Sequence, residues 1–577
     1  MKRDELKFWF CFLLLNFILF VPRYLFEFNT SSFFPYHIFS QGGIFYSFKY
    51  IFNRENYDIF RFSIDFSLLV FLIFLFRRKI SLGVTGILLP AFYIIIFVYQ
   101  AYAESFEAIY NVEPFLYTDI SSLKTGFKIA TDGKGFLIII YILLFGLAVF
   151  GISKLIKYFI RLIQKTEPGI TSRILGSVLI ILMLYSHIRY GGAQVSSMEF
   201  TDISYNLVSN IVRSLHTEKL IRKIDLSGLK NNYRVQKLEL RTSPNVYFIF
   251  VESYGKIVYT NKQLKDSYLK QLAKSDSLLA EKNFYCASVL SKSPVFGGIS
   301  WVSYSSVLYG INFMDSKTFD VLTGKKELNE AVSLVKLLKN SGYKNYRLAS
   351  IKPQNNMVIP WDKYSRIYSV DKWIRFGDLN YNGKLYGFGP SPPDEYSLNF
   401  AYNYIKKDDK AGVPYTLFFI TMNSHNPFLP PEISKNGWRD LNKNPENVVQ
   451  KSVFLKRPDI KDYGKAINYE ISFLTDFILR NGGNDIFLLI GDHQPPIIAK
   501  SNDGFETPVH VISRDSTFIH GFSKYGFTNG LRITDLDTSV RHEGIYTIFL
   551  REFMRNYAVN SDSLPEYLPK GINIMNQ

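Results

Sequence analysis

Asn245-Val246-Tyr247-Phe248-Ile249-Phe250-Val251-Glu252-Ser253 is the stretch on which the reading of this chain turns. Six apolar, β-favouring residues in succession suit a strand buried on both faces of a sheet. An acid closes the run, and an ionised carboxylate buried there alone would be strongly destabilising. A cation is therefore expected beside Glu252, either a metal ion or a Lys/Arg side chain. A second run of this kind, Ile486-Phe-Leu-Leu-Ile490, leads into Gly491-Asp492-His493. Between the two lies Gly297-Gly298-Ile299-Ser300, which opens the helix-like Trp301–Leu308. Two carboxylates, an imidazole and an alcohol at strand ends and a helix start suit a divalent cation that activates a serine for phosphoryl or sulfuryl transfer.

Around these motifs the chain alternates between strand and helix signals. Val246–Val251, Tyr343–Leu348, Tyr415–Ile420, Ile486–Ile490 and Val509–Ile512 read as strands, with helices over Glu327–Asn340 and Ser397–Lys406 between them. The pattern predicts an α/β sandwich with a mainly parallel central sheet, spanning residues 243–577. Ligands of such sheets gather beyond the carboxyl ends of the strands, where Glu252, His425 and Asp492-His493 all fall.

Upstream the composition changes. Residues 1–190 hold five apolar stretches, Phe8–Phe26, Ile59–Phe76, Ile80–Tyr99, Phe136–Ile152 and Ile174–His187, each near the roughly 20 residues that cross a bilayer core. This predicts an N-terminal helical membrane bundle of about five spans. The first stretch ends at Pro22-Arg23 without a small-residue cleavage pattern and reads as a retained anchor. Lys2, Arg3 and Lys7 precede it; Arg77, Arg78 and Lys79 follow the second stretch; Lys154, Lys157, Arg161, Lys165 and Arg173 follow the fourth. The longer loop after the third carries Glu104, Glu107, Glu113 and Asp119. The positive-inside rule puts the N-terminus in the cytoplasm, so an odd number of crossings places the α/β domain outside the cell membrane. Asp65, within the second stretch, reads either as a functional intramembrane acid or as a local structural one near the span's outer end. Residues 191–242 form a linker in which Ile203, Leu207, Ile211 and Leu215 recur at helical spacing: an amphipathic surface helix or a plain connecting one.

The formal net charge is +17. No basic tract comes with groove-reading context, so nucleic acid is not expected as a partner. Many of the basic residues flank apolar stretches, where anionic lipid is the natural counterpart, though a generally basic proteome would give the same excess. The two cysteines, Cys11 and Cys286, lie in different halves, and no disulfide between them is expected.

Each candidate also has a plainer reading. Ser300 could be a helix N-cap, with Ser303 then the nucleophile. Asp492-His493 could be a turn with an Asx contact, and His425, between Pro-rich flanks, a surface histidine. His510 and His542 are weaker candidates for a second metal ligand.

Taken together, Asn-Val-x-Phe-Ile-x-x-Glu-Ser, Gly-Gly-x-Ser-Trp, Ser-His-Asn-Pro-Phe and Gly-Asp-His resemble the sulfatase-type branch of the alkaline phosphatase superfamily. With membrane spans ahead of such a domain, the chain is most similar in layout to the lipoteichoic acid synthase family of phosphoglycerol transferases. Phosphoethanolamine transferases of outer-membrane glycolipid share that layout. The resemblance implies that Glu252, Ser300, Asp492 and His493 bind one divalent cation, usually manganese in that family, with magnesium or zinc as alternatives. It makes Ser300 the nucleophile and gives His425 the substrate phosphate or the leaving group. It places Trp361, in Pro360-Trp361-Asp362-Lys363, at a headgroup-binding position. Two departures stand out: Lys363 replaces an arginine and so lacks its bidentate fork, and Ser300 replaces the usual threonine. The implied partners are the membrane, an anionic or zwitterionic phospholipid donor and an envelope glycan or glycolipid acceptor.

The sulfatases proper mature a Cys or Ser within Cys/Ser-x-Pro-x-Arg. Ser300-Trp-Val-Ser-Tyr304 has neither the Pro nor the Arg, which points to phosphoryl chemistry on an unmodified serine. The expectation is a headgroup transferase in the cell membrane. The alternatives are a membrane-bound phosphodiesterase or sulfuric ester hydrolase of the same fold, or a non-catalytic envelope protein with a structural metal.

Overall fold

The computed structural model describes the chain except residues 1–2, 27–60, 77–81, 111–113, 121–134, 191–199, 225, 227–228, 230–234, 354–358, 388, 409–411, 444–458, 497, 500–502, 561–562, 573 and 575–577. Two compact units result, Met1–Lys219 and Leu220–Gln577. Of the residues used for orientation, Lys2, Arg77, Arg78, Lys79 and Glu113 lie outside the described residues.

In the first unit one helix forms in each apolar stretch: α1 Arg3–Phe26, α2 Ile64–Leu75, α3 Leu82–Tyr110, α4 Gly135–Lys165 and α5 Ile170–Tyr190. Among the described residues, three contain segments long and apolar enough to cross a membrane: Arg3–Pro22, Gly83–Glu107 and Ile142–Lys165. Ile64–Leu75 and Ile170–Leu184 are apolar but shorter, so among the described residues three of the five expected spans reach full length. The start of α2 explains its shortness. Phe62–Ser63 (β1) pairs in parallel with Phe200–Thr201 (β2), and the Ser63 hydroxyl caps the helix by accepting from the Phe66 N–H. Asp65 accepts from the Ser204 N–H at 2.7 Å and from the Ser63 hydroxyl. Phe12, Phe66, Tyr93 and Phe159 pack a fully buried aromatic core. Ile142, Leu143 and Leu147 stay exposed on α4, as residues facing hydrocarbon would. The expected helix of the linker is α6, Ile203–Arg222. It buries Ile203 but leaves Val208, Val212 and Leu215 exposed. Its Asn210 and Ser214 accept the Leu116 and Tyr117 N–H groups, so it is more than a connector.

The second unit is built on one sheet. Its strands are β3 Val246–Val251, β4 Tyr285–Lys292, β5 Lys344–Ala349, β6 Lys372–Arg375, β7 Tyr415–Ile420, β8 Ile486–Gly491, β9 Glu506–Ser513, β10 Thr528–Asn529 and β11 Ser539–Arg541. They run in the order β10-β4-β9-β8-β3-β7-β5-β6, with β11 beside β4. From β8 to β6 every pairing is parallel, whereas β8–β9, β9–β4 and β4–β10 are antiparallel. The sheet is therefore mixed: the run from β8 to β6 is parallel as expected, while the other side combines antiparallel β9, β4 and β10 with β11, which is parallel to β4. The antiparallel side was hidden because β4, Tyr-Cys-Ala-Ser-Val-Leu-Ser-Lys, is too polar to read as a core strand. Its Ser288 and Ser291 are nonetheless buried, hydrogen-bonded to His510 and His542.

Helices α7 Lys265–Glu281, α8 Ser300–Tyr309, α9 Trp361–Ile367, α10 Asp394–Asp408, α11 Ile460–Asn481 and α12 His542–Tyr557 complete the layers that matter here. The helix expected over Glu327–Asn340 is broken in two, Lys326–Glu330 and Leu334–Asn340, because Ser333 caps the second piece through the Lys336 N–H. Register does the positioning. β3 lies between β8 and β7, with Val251 opposite Gly491 and Phe250 opposite Ile420, so three parallel strands end level with one another.

Candidate active site

The level strand ends bring together residues far apart in sequence. Gly491 permits the closest approach: a Cβ there would sit 2.1 Å from the Tyr254 carbonyl oxygen. Asp492 thereby reaches the turn after β3, and its Oδ1 accepts from the Ser253 N–H at 2.8 Å and the His493 N–H at 2.7 Å. Glu252 Oε1 accepts from the Ser253 hydroxyl at 3.0 Å, and the Glu252 N–H donates to Thr421 Oγ1 at 3.1 Å. Glu252, Asp492 and His493 each offer a ligand atom within 4.8 Å of the others, and all three are buried. His493 Nδ1 bonds the Gln494 carbonyl oxygen at 2.8 Å, which requires the proton on Nδ1 and leaves the Nε2 lone pair facing the carboxylates.

Ser300 completes the cluster. Gly298 and Ile299 both adopt left-handed backbone (φ 66° and 46°), an arrangement a β-branched residue such as Ile299 takes up only under strain. Ile299, not Ser300, occupies the N-cap, so Ser300 is the first residue of α8 and its side chain does not cap the helix. Its hydroxyl instead lies 3.1 Å from Glu252 Oε2 and 3.2 Å from His493 Nε2. Ser303, the other candidate nucleophile, is buried and donates to the Asp492 carbonyl oxygen at 2.6 Å. That leaves Ser300, which is partly exposed, as the hydroxyl open to a reactant.

The electrostatics fit a cation. Among the described residues no lysine or arginine forms an ion pair with Glu252 or Asp492. Burial, then the Glu252 charge, pushes the Asp492 carboxyl well above its usual range. Burial also opposes ionisation of Glu252, but His493, His425 and hydrogen bonding from Asp492 and Ser253 hold it below the usual range. Burial lowers the His493 pKa against the opposing pull of Glu252, the direction a ligand imidazole needs. Asp492 Oδ2, fully buried, makes no hydrogen bond of its own. One bare carboxylate oxygen, one carboxylate, one imidazole lone pair and one hydroxyl form an oxygen-and-nitrogen donor set suited to Mn, Mg or Zn.

His425, on the loop after β7, is partly buried and lies near enough to Glu252 and His493 to bear on the protonation of both. Trp361 and Lys363 lie in the first turn of α9. Trp361 packs edge-on against Trp373 at 4.7 Å, with the Arg375 guanidinium over its ring at 4.6 Å, and Lys363 pairs with Asp320 at 3.8 Å. His510 is held by Ser288 (2.7 Å) and Tyr254 (2.9 Å), and His542 Nδ1 by Ser291 (2.8 Å); both are buried in the frame under the site. Sequence reasoning missed Thr421 and Ser424. Both bond the Glu252 backbone, Ser424 through its hydroxyl to the carbonyl oxygen at 2.7 Å. The only signal was their closeness to His425.

Neither a protein-family model nor a curated protein matches the sequence. Solved structures do. The chain is similar to lipooligosaccharide phosphoethanolamine transferase A (EptA), an integral membrane protein from Neisseria meningitidis, at 13% identity and a TM-score of 0.42, over 92% of this chain and 94% of that one. It is similar to the lipoteichoic acid synthase LtaP from Listeria monocytogenes at 13% identity and a TM-score of 0.35, over 62% and 81% of the two chains. The phosphoglycerol transferase GacH from Streptococcus pyogenes, solved with sn-glycerol-1-phosphate, gives 13% identity and a TM-score of 0.35, over 61% and 80%.

Proposed function

We propose that this chain is a metal-dependent transferase of the cell membrane that moves a phospholipid headgroup, phosphoglycerol or phosphoethanolamine, to an envelope glycan or glycolipid. The observation that carries the reading is the Ser300 hydroxyl, 3.1 Å from Glu252 and 3.2 Å from His493, at the partly exposed edge of a buried donor set. A divalent cation bound by Glu252, Ser300, Asp492 and His493 would favour the serine alkoxide and offset phosphate charge.

Ser300 Oγ gives its proton to solvent water, from which it takes one back at the end of the cycle, and attacks phosphorus; the Oγ–P bond forms as the bond to the diacylglycerol oxygen breaks. His425 gives a proton to that leaving oxygen, and a phospho-serine ester remains. An acceptor hydroxyl then attacks the same phosphorus, passes its proton to His425 and releases Ser300, which is reprotonated. The dipole at the start of α8 favours the anionic phosphoryl oxygens beside Ser300. Trp361 and Lys363 are the proposed headgroup contacts. With an odd number of crossings, as the pattern of apolar stretches and basic loops gives, a cytoplasmic N-terminus leaves the catalytic unit outside the membrane.

The test is mass spectrometry of the full-length protein after incubation with manganese and vesicles of phosphatidylglycerol or phosphatidylethanolamine. A phosphoglycerol or phosphoethanolamine adduct on Ser300, absent from Ser300→Ala, is expected. No adduct from either lipid, with metal bound, overturns the reading. An adduct discharged only to soluble ester, with added glycan or glycolipid left unmodified, replaces transfer by hydrolysis.

A further inference from the structure

A second pair of acids is buried behind the loop that carries His425. Asp394, the first residue of α10, and Glu470, on α11, have no exposed surface. Asp394 Oδ2 accepts from the Met422 and Asn423 N–H groups, each at 2.7 Å, and Asn423 Oδ1 accepts in return from the Asp394 N–H at 2.7 Å. Glu470 faces Asp394 on one side and Ser424 on the other. Ser424 in turn donates to the Glu252 carbonyl oxygen. The loop is thus held between the end of β3 and two carboxyls.

Those carboxyls are short of partners. Asp394 Oδ1 and both oxygens of Glu470 are fully buried without a hydrogen bond of good geometry. Among the described residues neither acid forms an ion pair with Lys, Arg or His. The ionisable groups bearing on them are each other, the Tyr469 phenol of α11 and the Glu252 carboxylate of β3. Two adjacent ionised carboxylates without a cation would repel each other and leave orphaned lone pairs; one proton between them turns a repulsion into a hydrogen bond.

We propose that Asp394 and Glu470 hold one proton between them and act as positioning residues that fix the Met422–His425 loop against Glu252. Burial, then the neighbouring Asp394, raises Glu470 well above its usual range, and burial raises Asp394 to about 7, so the proton belongs to the pair. While the pair keeps it, the loop is clamped. Loss of the proton in alkali leaves two charges side by side and loosens the clamp.

The structural part of this inference stands apart from the transferase reading; only its effect on catalysis rests on that reading. The test is hydrogen–deuterium exchange of full-length protein in detergent, following peptides over 421–428 against a β3 peptide. Exchange at pH 7 is compared with exchange at about pH 9.5, corrected for intrinsic rate, since linkage makes a shared proton a pH-dependent contact. In the wild type, protection of 421–428 should fall at least about tenfold more than that of β3, the scale of one hydrogen bond to a charged group. Glu470→Gln, whose amide donates without a proton to lose, should keep its protection at both pH values. Asp394→Asn, which weakens the acceptor for two N–H groups, should lose protection at both. Equal alkaline loss in wild type and Glu470→Gln, or full protection in Asp394→Asn, overturns the proposal. If Ser300 does form its adduct, the alkaline limb of adduct formation should move upward in Glu470→Gln with metal content unchanged. An unmoved limb removes the catalytic role while leaving the exchange result to decide the clamp.

Discussion

Two pairs of buried acids flank the segment from Thr421 to His425, and each meets the same difficulty differently. Glu252 and Asp492 come with a histidine whose tautomer is fixed and a serine open to the outside. Asp394 and Glu470 have backbone N–H groups, a buried serine and no imidazole bonded to them. Both would be untenable as bare dianions in an apolar surrounding. The first can admit a cation from solvent because it has the donors and the opening; the second, sealed, is left with a proton. Accessibility plus a neutral nitrogen donor therefore separates a reactive acid pair from a scaffolding one, and burial alone does not.

The contrast is broken most severely at Ser300. Ser300→Ala should lower headgroup transfer by about a thousandfold or more, the usual scale for a lost nucleophile, measured as labelled headgroup reaching acceptor. Metal should still co-purify, since Glu252, Asp492 and His493 remain. Asp492→Asn should weaken metal binding by about a hundredfold or more by competition with a chelating dye, beyond the effect of a typical outer-shell change. With metal present the wild type should melt several degrees above Asp492→Asn, and chelator should shrink that difference, because the stabilisation comes with the bound cation. Asp394→Asn should melt lower than the wild type by the same amount with or without chelator. Dependence on chelator is the sharpest test that one pair serves a metal and the other does not.

His510 is a control, a titratable group buried with partners but committed to neither pair. Burial lowers it to about 3 from the ordinary 6.5. Below pH 6.5 the unfolded chain takes up a proton there that the folded protein refuses, so its stability contribution is lost as pH falls from 6.5 toward 3. The slope is about 1.4 kcal/mol per pH unit for one such group, and His510→Gln should flatten thermal unfolding between pH 6.5 and 5 by about that amount. The smallest effect is expected at Glu470→Gln near neutrality, with transfer altered by less than about threefold because the neutral hydrogen bond is kept.

Much of the site was legible because its chemistry interrupts a pattern. Glu252 and Asp492-His493 each end an apolar run that gives no packing reason for ionisable groups, and Ser300 follows two glycines at the entry to a helix. Chain order could not show that β3, β7 and β8 end level, which is what brings Glu252 and Asp492-His493 together across 242 positions of sequence. Nor could it show β4, whose serines look like surface until buried histidines supply their partners. Asp394 and Glu470 were illegible for a related reason. On amphipathic helices an acid at the start or on one face is ordinary, and only tertiary packing shows that nothing positive meets it. The membrane helices were legible in place but not in length, because Ser63 caps α2 where hydropathy alone continues.

Trp301 follows Ser300 directly and is 37% exposed, one of only five indoles in the chain. Its emission should respond to a phosphate ester forming one residue away, and a Trp301→Phe difference spectrum would isolate that response from the other four. The protein thus carries its own optical probe, by which each turnover could be timed without labelling the lipid.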